Sequence, residues 1–117
     1  IDIDVQPPGK AVQNITLFSG GEKALIAISC LFAILRVRPV PMCILDEVEA
    51  ALDVANVERF AKYLKEFSSE TQFIVVTHRE GTMEECDLLY GATMQQKGVT
   101  KLVSVKLKDA IDLAQTA

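Results

Sequence analysis

The apolar residues of the chain form two strand-like runs with a helical pattern between them. Residues 42–45 (MCIL) form a short unbroken apolar run, which is typical of a central parallel strand covered on both faces. Residues 73–77 (FIVVT) are expected to form a second buried strand. Asp53 is a plausible N-cap for the intervening helix. Four apolar residues of that helix recur at helical spacing: Val57, Phe60, Ala61 and Leu64. This order predicts a parallel βαβ unit with a right-handed crossover.

The segments before this unit predict a strand and a long helix. Residues 1–5 alternate between apolar and polar, as in a strand, and residues 10–17 are expected to form a loop. Ser19 and Glu22 have the spacing of a capping box at a helix N-terminus. We expect the helix to run to about Val37 and, because it is apolar on nearly every side, to be deeply buried.

The segments after the unit predict a short helix, a hairpin and a terminal helix. Residues 80–86 favour the short helix, and 109–117 favour the terminal one. Between them, residues 88–95 and 102–107 are strand-like and lie on either side of Gly98, which indicates a hairpin. The expected fold class is therefore α/β, with parallel strands and helices followed by a late β-hairpin.

Composition and charge limit the classes of partner. The chain has 117 residues, of which 50% are hydrophobic and 6% aromatic, so the core must consist mainly of aliphatic side chains. A net charge of −4 argues against strong binding to nucleic acid or an anionic membrane by this chain alone. Binding to DNA through a partner stays open.

The cysteines and the apolar stretches indicate a reducing compartment and no membrane span. Cys30, Cys43 and Cys86 are odd in number and form no Cys-x-x-Cys pair, and the single histidine disfavours a zinc site. The longest apolar stretch, residues 24–35, is too short to cross a bilayer, and we find no signal peptide. Because Ile1 falls within a strand-like pattern, we expect a segment of a longer protein.

Candidate chemistry lies at the ends of the two apolar strands. Asp46 and Glu47 follow the first strand and His78 the second, and ligands of open α/β sheets bind beyond such carboxyl ends. An apolar strand that ends in Asp-Glu is the arrangement expected of the magnesium-holding element in a nucleotide hydrolase. Asp46 would then hold Mg²⁺ through water, and Glu47 would accept a proton from an attacking water, which is worth roughly 10²–10⁴ in rate. For Asp-Glu alone, a solvated acidic turn is the better interpretation. His78 would donate to a γ-phosphate with its other nitrogen held by backbone, although a lone histidine is more often structural.

Ser19-Gly20-Gly21-Glu22 has the features of an anion-binding helix start. Backbone N–H groups and the positive helix end favour an anion, and glycines permit its close approach. A simple capping box would explain Ser19 and Glu22, but not two glycines that each cost up to ~1 kcal/mol in a helix. The chain contains no Gly-x-x-x-x-Gly-Lys-Ser/Thr sequence, so the P-loop is absent.

The order of these motifs resembles the ABC-type ATPases. The resemblance assigns a signature motif to residues 17–22, a Walker B strand to residues 43–47, a D-loop to residues 51–53 and an H-loop to His78. The stretches CILDEVEAALDVANVERF and FIVVTHREGTMEECDLLYGATMQQKGVTKLVSVKL resemble more specifically the C-terminal head segment of bacterial SMC (structural maintenance of chromosomes) proteins. The resemblance covers nearly all of residues 1–117.

Two positions depart from common forms of these motifs. Val48 stands where transporter ATPases usually have proline after the catalytic glutamate. Phe18 interrupts the usual direct Leu-Ser junction of the signature motif, with an effect on packing that the sequence leaves open.

The resemblance implies one half of a P-loop ATPase head, incomplete without an N-terminal half that carries Walker A. It implies ATP and Mg²⁺ as ligands and hydrolysis only in the assembled head, engaged with a second SMC head. Asp46, Glu47 and His78 would act on the ATP of their own head, with Asp53 near the interface. Four residues would contact the ATP of the opposing head: Ser19, Gly20, Gly21 and Glu22.

The implied partners and location follow from the same family. They are a second head, a kleisin subunit and, through the complete complex, chromosomal DNA, in the cytoplasm and at the nucleoid. The segment from Leu88 to Leu107 is the candidate kleisin surface, although an ordinary sheet edge is an equal alternative. A transporter or DNA-repair ATPase and a non-catalytic docking module remain rival hypotheses. Sustained heptad repeats in the sequence upstream would indicate a long coiled coil and would exclude a transporter.

Overall fold

Three two-stranded sheets and four α-helices make up the part of the chain that the computed structural model describes, residues 4–116. The elements in chain order are β1 (Asp4–Val5), β2 (Gln13–Asn14), a 3-10 turn (Ile15–Leu17), α1 (Gly20–Val37), β3 (Met42–Asp46), α2 (Val54–Phe67), β4 (Gln72–Val76), α3 (Glu80–Met83), β5 (Tyr90–Gln96), β6 (Val99–Ser104) and α4 (Leu107–Thr116). Residues 1–3 of the predicted first strand and residue 117 of the predicted last helix lie outside the described residues.

The predicted parallel βαβ unit is confirmed. β3 and β4 pair in parallel, with Met42 opposite Gln72 and Asp46 opposite Val76, and α2 connects them. The four apolar positions predicted on α2 are all buried. Asp53 caps α2 as expected. Because the two strands pair in register through their last residues, their carboxyl ends lie side by side.

The core lies between α1, α2 and one face of β3–β4. Its aromatic centre is Phe32 of α1, whose ring centroid lies 6.1 Å from that of Phe60 and 5.2 Å from that of Phe67. Aliphatic side chains of both helices and of β3 surround these rings. The buried members of this cluster are Ile28, Phe32, Leu35, Leu45, Leu52, Val57, Phe60 and Leu64.

Two expectations about burial are wrong for the described part of the chain. α1 is not deeply buried all round, because Ile34 is 63% and Val37 86% exposed. β3 and β4 are not covered on both faces, because Ile44 is 66% and Ile74 44% exposed. The physical reason is that α2 offers one apolar face, which covers one side of α1 and of the sheet. The other apolar surfaces face solvent.

The remaining elements follow the predicted order with shifted bounds. The hairpin is confirmed: β5 and β6 are antiparallel, and Gly98 takes a positive φ of 81° in the short turn between them, which suits a tight hairpin turn. α3 is shorter than predicted. The predicted loop at residues 10–17 contains β2, which pairs with β1, and the 3-10 turn. Within residues 4–116 no helix has the length and hydropathy needed to cross a membrane.

Candidate functional site

The adjacent ends of β3 and β4 bring Glu47 and His78 together. The Glu47 backbone N–H donates to the Val76 carbonyl at 2.9 Å, which extends the strand pairing by one residue. The Glu47 backbone then turns with φ 47°, in the left-handed region that non-glycine residues rarely adopt. Its Oε1 lies 3.3 Å from Nδ1 of His78, and the two side chains are 52% and 55% exposed. The chain therefore presents a carboxylate and an imidazole, in contact, at the expected edge of the sheet.

The partner of the imidazole differs from the one expected. The sequence predicts that one His78 nitrogen faces a phosphate and that a backbone group holds the other. The backbone partner is wrong, because the nitrogen that has a partner, Nδ1, faces the Glu47 carboxylate. The two strands end at the same level, so the carboxylate lies within reach of the ring. With Nδ1–H donating to Glu47, the neutral ring presents Nε2 as an acceptor, and only the protonated ring has a second donor.

Asp46 is an exposed carboxylate at the end of β3. Its side chain is exposed and engages in no hydrogen bond or ion pair within the part of the chain whose side chains are described. The described residues contain no cluster of three or more metal-ligating side chains. This fits Mg²⁺, which proteins usually hold through one or two carboxylates, with waters and substrate phosphates as the other ligands.

The N-terminus of α1 is a complete capping box. Ser19 Oγ accepts the Glu22 N–H at 3.3 Å, and Glu22 Oε2 accepts the Ser19 N–H at 2.9 Å. Lys10 Nζ lies 3.1 Å from the other Glu22 oxygen. The Ser19 N–H, and after it Lys10, lower the pKa of Glu22. No described hydrogen bond uses the N–H groups of Gly20 and Gly21, so these two donors are available to an anion.

The two glycines of this turn have different surroundings. A Cβ on Gly21 would lie 3.1 Å from the Ala51 carbonyl oxygen, whereas a Cβ on Gly20 would meet no atom of the described residues within 4 Å. Packing within the chain therefore explains Gly21, and it places the start of α1 against the loop between Glu47 and Asp53. Phe18, the departure noted in the signature motif, is buried at 6% exposure. No contact with the described residues explains why position 20 is a glycine.

Both carboxylate oxygens of Asp53 accept hydrogen bonds at the N-terminus of α2. Its Oδ1 accepts the Asn56 N–H at 2.8 Å, and its Oδ2 accepts from Asn56 Nδ2 at 3.0 Å. Among the described residues, neither Ser19 nor Asp53 forms a hydrogen bond with Glu47 or His78. The chain thus brings Glu47 and His78 into contact and places the Gly21 turn against the adjoining loop.

Sequence reasoning gave no role to two residues that link the strand-end loops. Glu49 is fully buried and accepts hydrogen bonds from Thr77 and Thr82. Arg79 donates to the carbonyl groups of Ala50 and Leu52. No sequence signal distinguishes Glu49 from a solvent-exposed acidic residue, because its burial depends on residues about thirty positions away.

Residues 10–101 match the model of the RecF/RecN/SMC N terminal domain family. The chain is similar to the chromosome partition protein Smc of Bacillus subtilis (strain 168), with 65% identity over 115 residues, which cover 98% of this chain and 10% of that protein. The corresponding protein of Clostridium kluyveri (strain NBRC 12016) is 64% identical over 107 residues, which cover 92% of this chain and 9% of that protein. The chain thus spans about a tenth of the length of these curated relatives.

Solved structures of SMC heads share the fold. One, from work on ATP-driven dimerization and DNA-stimulated activation of SMC ATPases, aligns with a TM-score of 0.85 and 43% identity, over 98% of this chain and 71% of the other. Another, an Smc head bound to the C-winged helix domain of ScpA, aligns with a TM-score of 0.82 and 46% identity, over 92% of this chain and 33% of the other.

Proposed function

The chain belongs to the RecF/RecN/SMC N terminal domain family, and on this basis we propose that it forms the C-terminal half of an ATP-hydrolysing SMC head that acts in chromosome condensation and segregation. The observation that carries the proposal is the Glu47–His78 pair at the shared carboxyl ends of β3 and β4. A protein with this role would work in the cytoplasm, at the nucleoid. Relatives named for chromosome partition favour it over the transporter and DNA-repair alternatives.

Glu47 is the proposed general base. Its Oε1 faces His78, while Oε2 has no described partner and can accept a proton from an attacking water. His78 orients this carboxylate and, when protonated, donates from Nε2 to the terminal phosphate. Asp46 would contact Mg²⁺ through water, and the bound metal would supply positive charge to the phosphate oxygens.

The start of α1 is the proposed contact with the nucleotide of the opposing head. Ser19 Oγ already accepts the Glu22 N–H, so its hydroxyl hydrogen remains free to donate to a phosphate oxygen. The free N–H groups of Gly20 and Gly21 add two more donors at the positive end of the helix. Glu22 fixes this turn through the capping box, and Asp53 lies in the adjoining loop near the interface.

The exposed face of β3–β4 is the proposed seat of the P-loop-bearing half. Ile44 and Ile74 lie on this face, and Met42 and Val76 are about half exposed beside them. A contiguous exposed apolar surface marks an interaction site. Hydrolysis is expected only after this half has joined and two heads have engaged, because the chain has no P-loop sequence of its own.

The test uses the assembled head, with this chain joined to the P-loop-bearing half. Glu47→Gln should preserve ATP binding, lower kcat by roughly 10²- to 10⁴-fold and accumulate ATP-dependent dimers, measured by sizing. Ser19→Arg should abolish these dimers while ATP binding persists, because the longer side chain fills the phosphate site. Unchanged turnover in Glu47→Gln would exclude the general base, and unchanged dimerisation in Ser19→Arg would exclude the trans contact.

A second role, kleisin docking by the hairpin region 88–107, is favoured by its exposed apolar side chains. Leu88 is 73%, Tyr90 65% and Leu102 70% exposed, and a head of similar fold binds ScpA. This role is compatible with hydrolysis. Charge-reversal variants along the hairpin should weaken binding to the ScpA C-winged helix domain, as measured by calorimetry. Unchanged affinity in all of them would reject the surface.

A further inference from the structure

Glu49 is a buried acidic side chain that the proposed hydrolysis mechanism does not use. Its relative exposure is 0%. Oε1 accepts hydrogen bonds from the hydroxyls of Thr77 and, at 2.9 Å, Thr82. Oε2 has no partner among the described side chains. Burial of a polar group with half its acceptors unused is costly, whereas an apolar side chain of similar size would avoid that cost. The carboxyl group therefore calls for an explanation beyond packing.

The two threonines hold the backbone on either side of His78. Thr77 directly precedes the histidine, and Thr82 lies four residues after it, in α3. The Thr77 hydroxyl donates to Glu49 and also accepts the Arg79 backbone N–H at 3.0 Å. The Thr77 hydroxyl thus links the two residues on either side of His78, Thr77 and Arg79, to the Glu49 carboxylate by hydrogen bonds.

Arg79 completes a ring of contacts between the same two loops. Its guanidinium donates to the Leu52 carbonyl at 3.2 Å and approaches the Ala50 carbonyl at 3.4 Å. The strand-end segment 77–79 is therefore held to residues 49–52 by a side chain from each loop. The exposed Glu47–His78 contact joins these two loops as well, but it is open to solvent.

The backbone at Glu47 needs such support. Its φ of 47° is unfavourable for a residue with a side chain, and such conformations persist where surrounding contacts determine them. The Ala50 N–H bonds to the Glu47 carbonyl at 3.1 Å, and the Leu52 N–H to the Glu49 carbonyl at 2.9 Å. The loop thus folds into consecutive turns, with the Glu49 side chain directed inward as its anchor.

We propose that Glu49 is a positioning residue of the ATPase centre: through Thr77 it holds the His78 backbone in register with the strained turn at Glu47. Thr82 fixes the same carboxylate oxygen to α3, and Arg79 secures the loop at its far side. The inference rests on the hydrolytic function proposed above. It assigns Glu49 an effect on kcat, since its contacts align reacting groups, and none on the affinity for ATP.

The test compares three variants of the assembled head. Glu49→Leu removes the acceptor, and kcat should fall by roughly 10- to 100-fold, as expected for a displaced catalytic group, with KM for ATP within about threefold of wild type. Glu49→Gln keeps an acceptor oxygen for both threonines and should restore kcat to within about fivefold. The matched control is Thr71→Val, which removes another buried hydroxyl. This hydroxyl lies away from the site and donates to the Val40 carbonyl at a distance of 2.7 Å. The control should therefore leave kcat unchanged.

The outcomes separate this inference from the function on which it rests. A wild-type head without ATPase activity would overturn the hydrolytic function and the role of Glu49 together. An active wild type in which Glu49→Leu lowers kcat no more than Thr71→Val does, or in which Gln rescues nothing, would overturn the positioning role alone. If Glu49→Leu fails to fold, Thr77→Val decides: retention of full kcat would refute the role, and a fall of about tenfold or more with unchanged KM would support it.

Discussion

Alanine at Gly20 and at Gly21 should have different effects on stability, although the two glycines are neighbours in one helix turn. Both substitutions reduce the conformational freedom of the unfolded backbone. This reduction stabilises the folded helix by roughly 0.5–1 kcal/mol. At Gly20 no atom of the described residues lies within 4 Å of the new Cβ, so the full gain is expected. At Gly21 the Cβ would approach the Ala51 carbonyl oxygen to 3.1 Å, a few tenths of an ångström inside ordinary contact at 3.4 Å.

The contact at Gly21 cancels or reverses this gain in stability. The neighbouring atom is a backbone oxygen in the loop that carries the site, so it cannot move aside as a flexible side chain would. Overpacking of this kind costs roughly 1–3 kcal/mol, which equals or exceeds the gain from the lost freedom. We therefore expect Gly20→Ala to be more stable than Gly21→Ala by about 1–3 kcal/mol in denaturant unfolding of the assembled head. Equal stabilities would show that the loop yields freely and refute the packing argument.

The same pair tests the proposed interface. Gly20→Ala should stabilise the helix yet weaken ATP-dependent dimerisation, because its methyl group projects from the surface where a nucleotide of the opposing head would approach. Sizing in the presence of ATP, with Glu47→Gln as background, measures the dimer fraction. If Gly20→Ala dimerises as well as the unmodified background, no close approach occurs at this position.

Three further predictions concern stability and assembly. Glu22→Gln should be less stable than wild type at neutral pH and equally stable in acid. The reason is that the Ser19 N–H lowers the pKa of Glu22 in the folded state, so the stabilisation is present above the unfolded pKa and is lost as the pH falls through the folded pKa. A difference in urea unfolding that does not change with pH would contradict this. Phe60→Ala should cost roughly 3–5 kcal/mol, since Phe60 is 3% exposed against Phe32; a loss below about 1 kcal/mol would contradict the core assignment. Ile44→Lys should block co-purification with the P-loop-bearing half, and intact assembly would exclude that face.

Local pattern was sufficient to predict the elements whose determinants lie close together in the chain. The capping box at Ser19 and the apolar spacing along α2 involve contacts three or four residues apart, and both are confirmed. The parallel pairing of β3 and β4 followed from their order and their shared apolar character. Burial was not predictable in the same way, because it depends on which surfaces the rest of the chain can cover. Ile44 and Ile34 are exposed for that reason.

The same distinction between local and long-range determinants applies to the candidate site. The rule that strand ends share an edge predicted that Glu47 and His78 would lie near each other, and they are in contact. The predicted partner of the His78 ring was wrong because the actual partner depends on how far the side chains at the strand ends reach. Glu49 and Arg79 received no role because their partners lie 27–33 residues away. Their types are common in solvated loops, so only the folded chain reveals their contacts.

The exposure of the Glu47–His78 pair itself argues that one chain cannot complete the site. Both side chains are about half open to solvent, where charges interact weakly because water screens them. A preorganised site that stabilises developing charge on phosphate must exclude water, so another surface has to cover this pair during turnover. The start of α1 offers uncommitted N–H donors beside the adjoining loop, but the described residues bring no contact from it to the pair. A second head would cover each pair with the helix start of its partner. The total rate of ATP hydrolysis would then rise with the square of head concentration when dimers are scarce, and the rate per head would rise linearly.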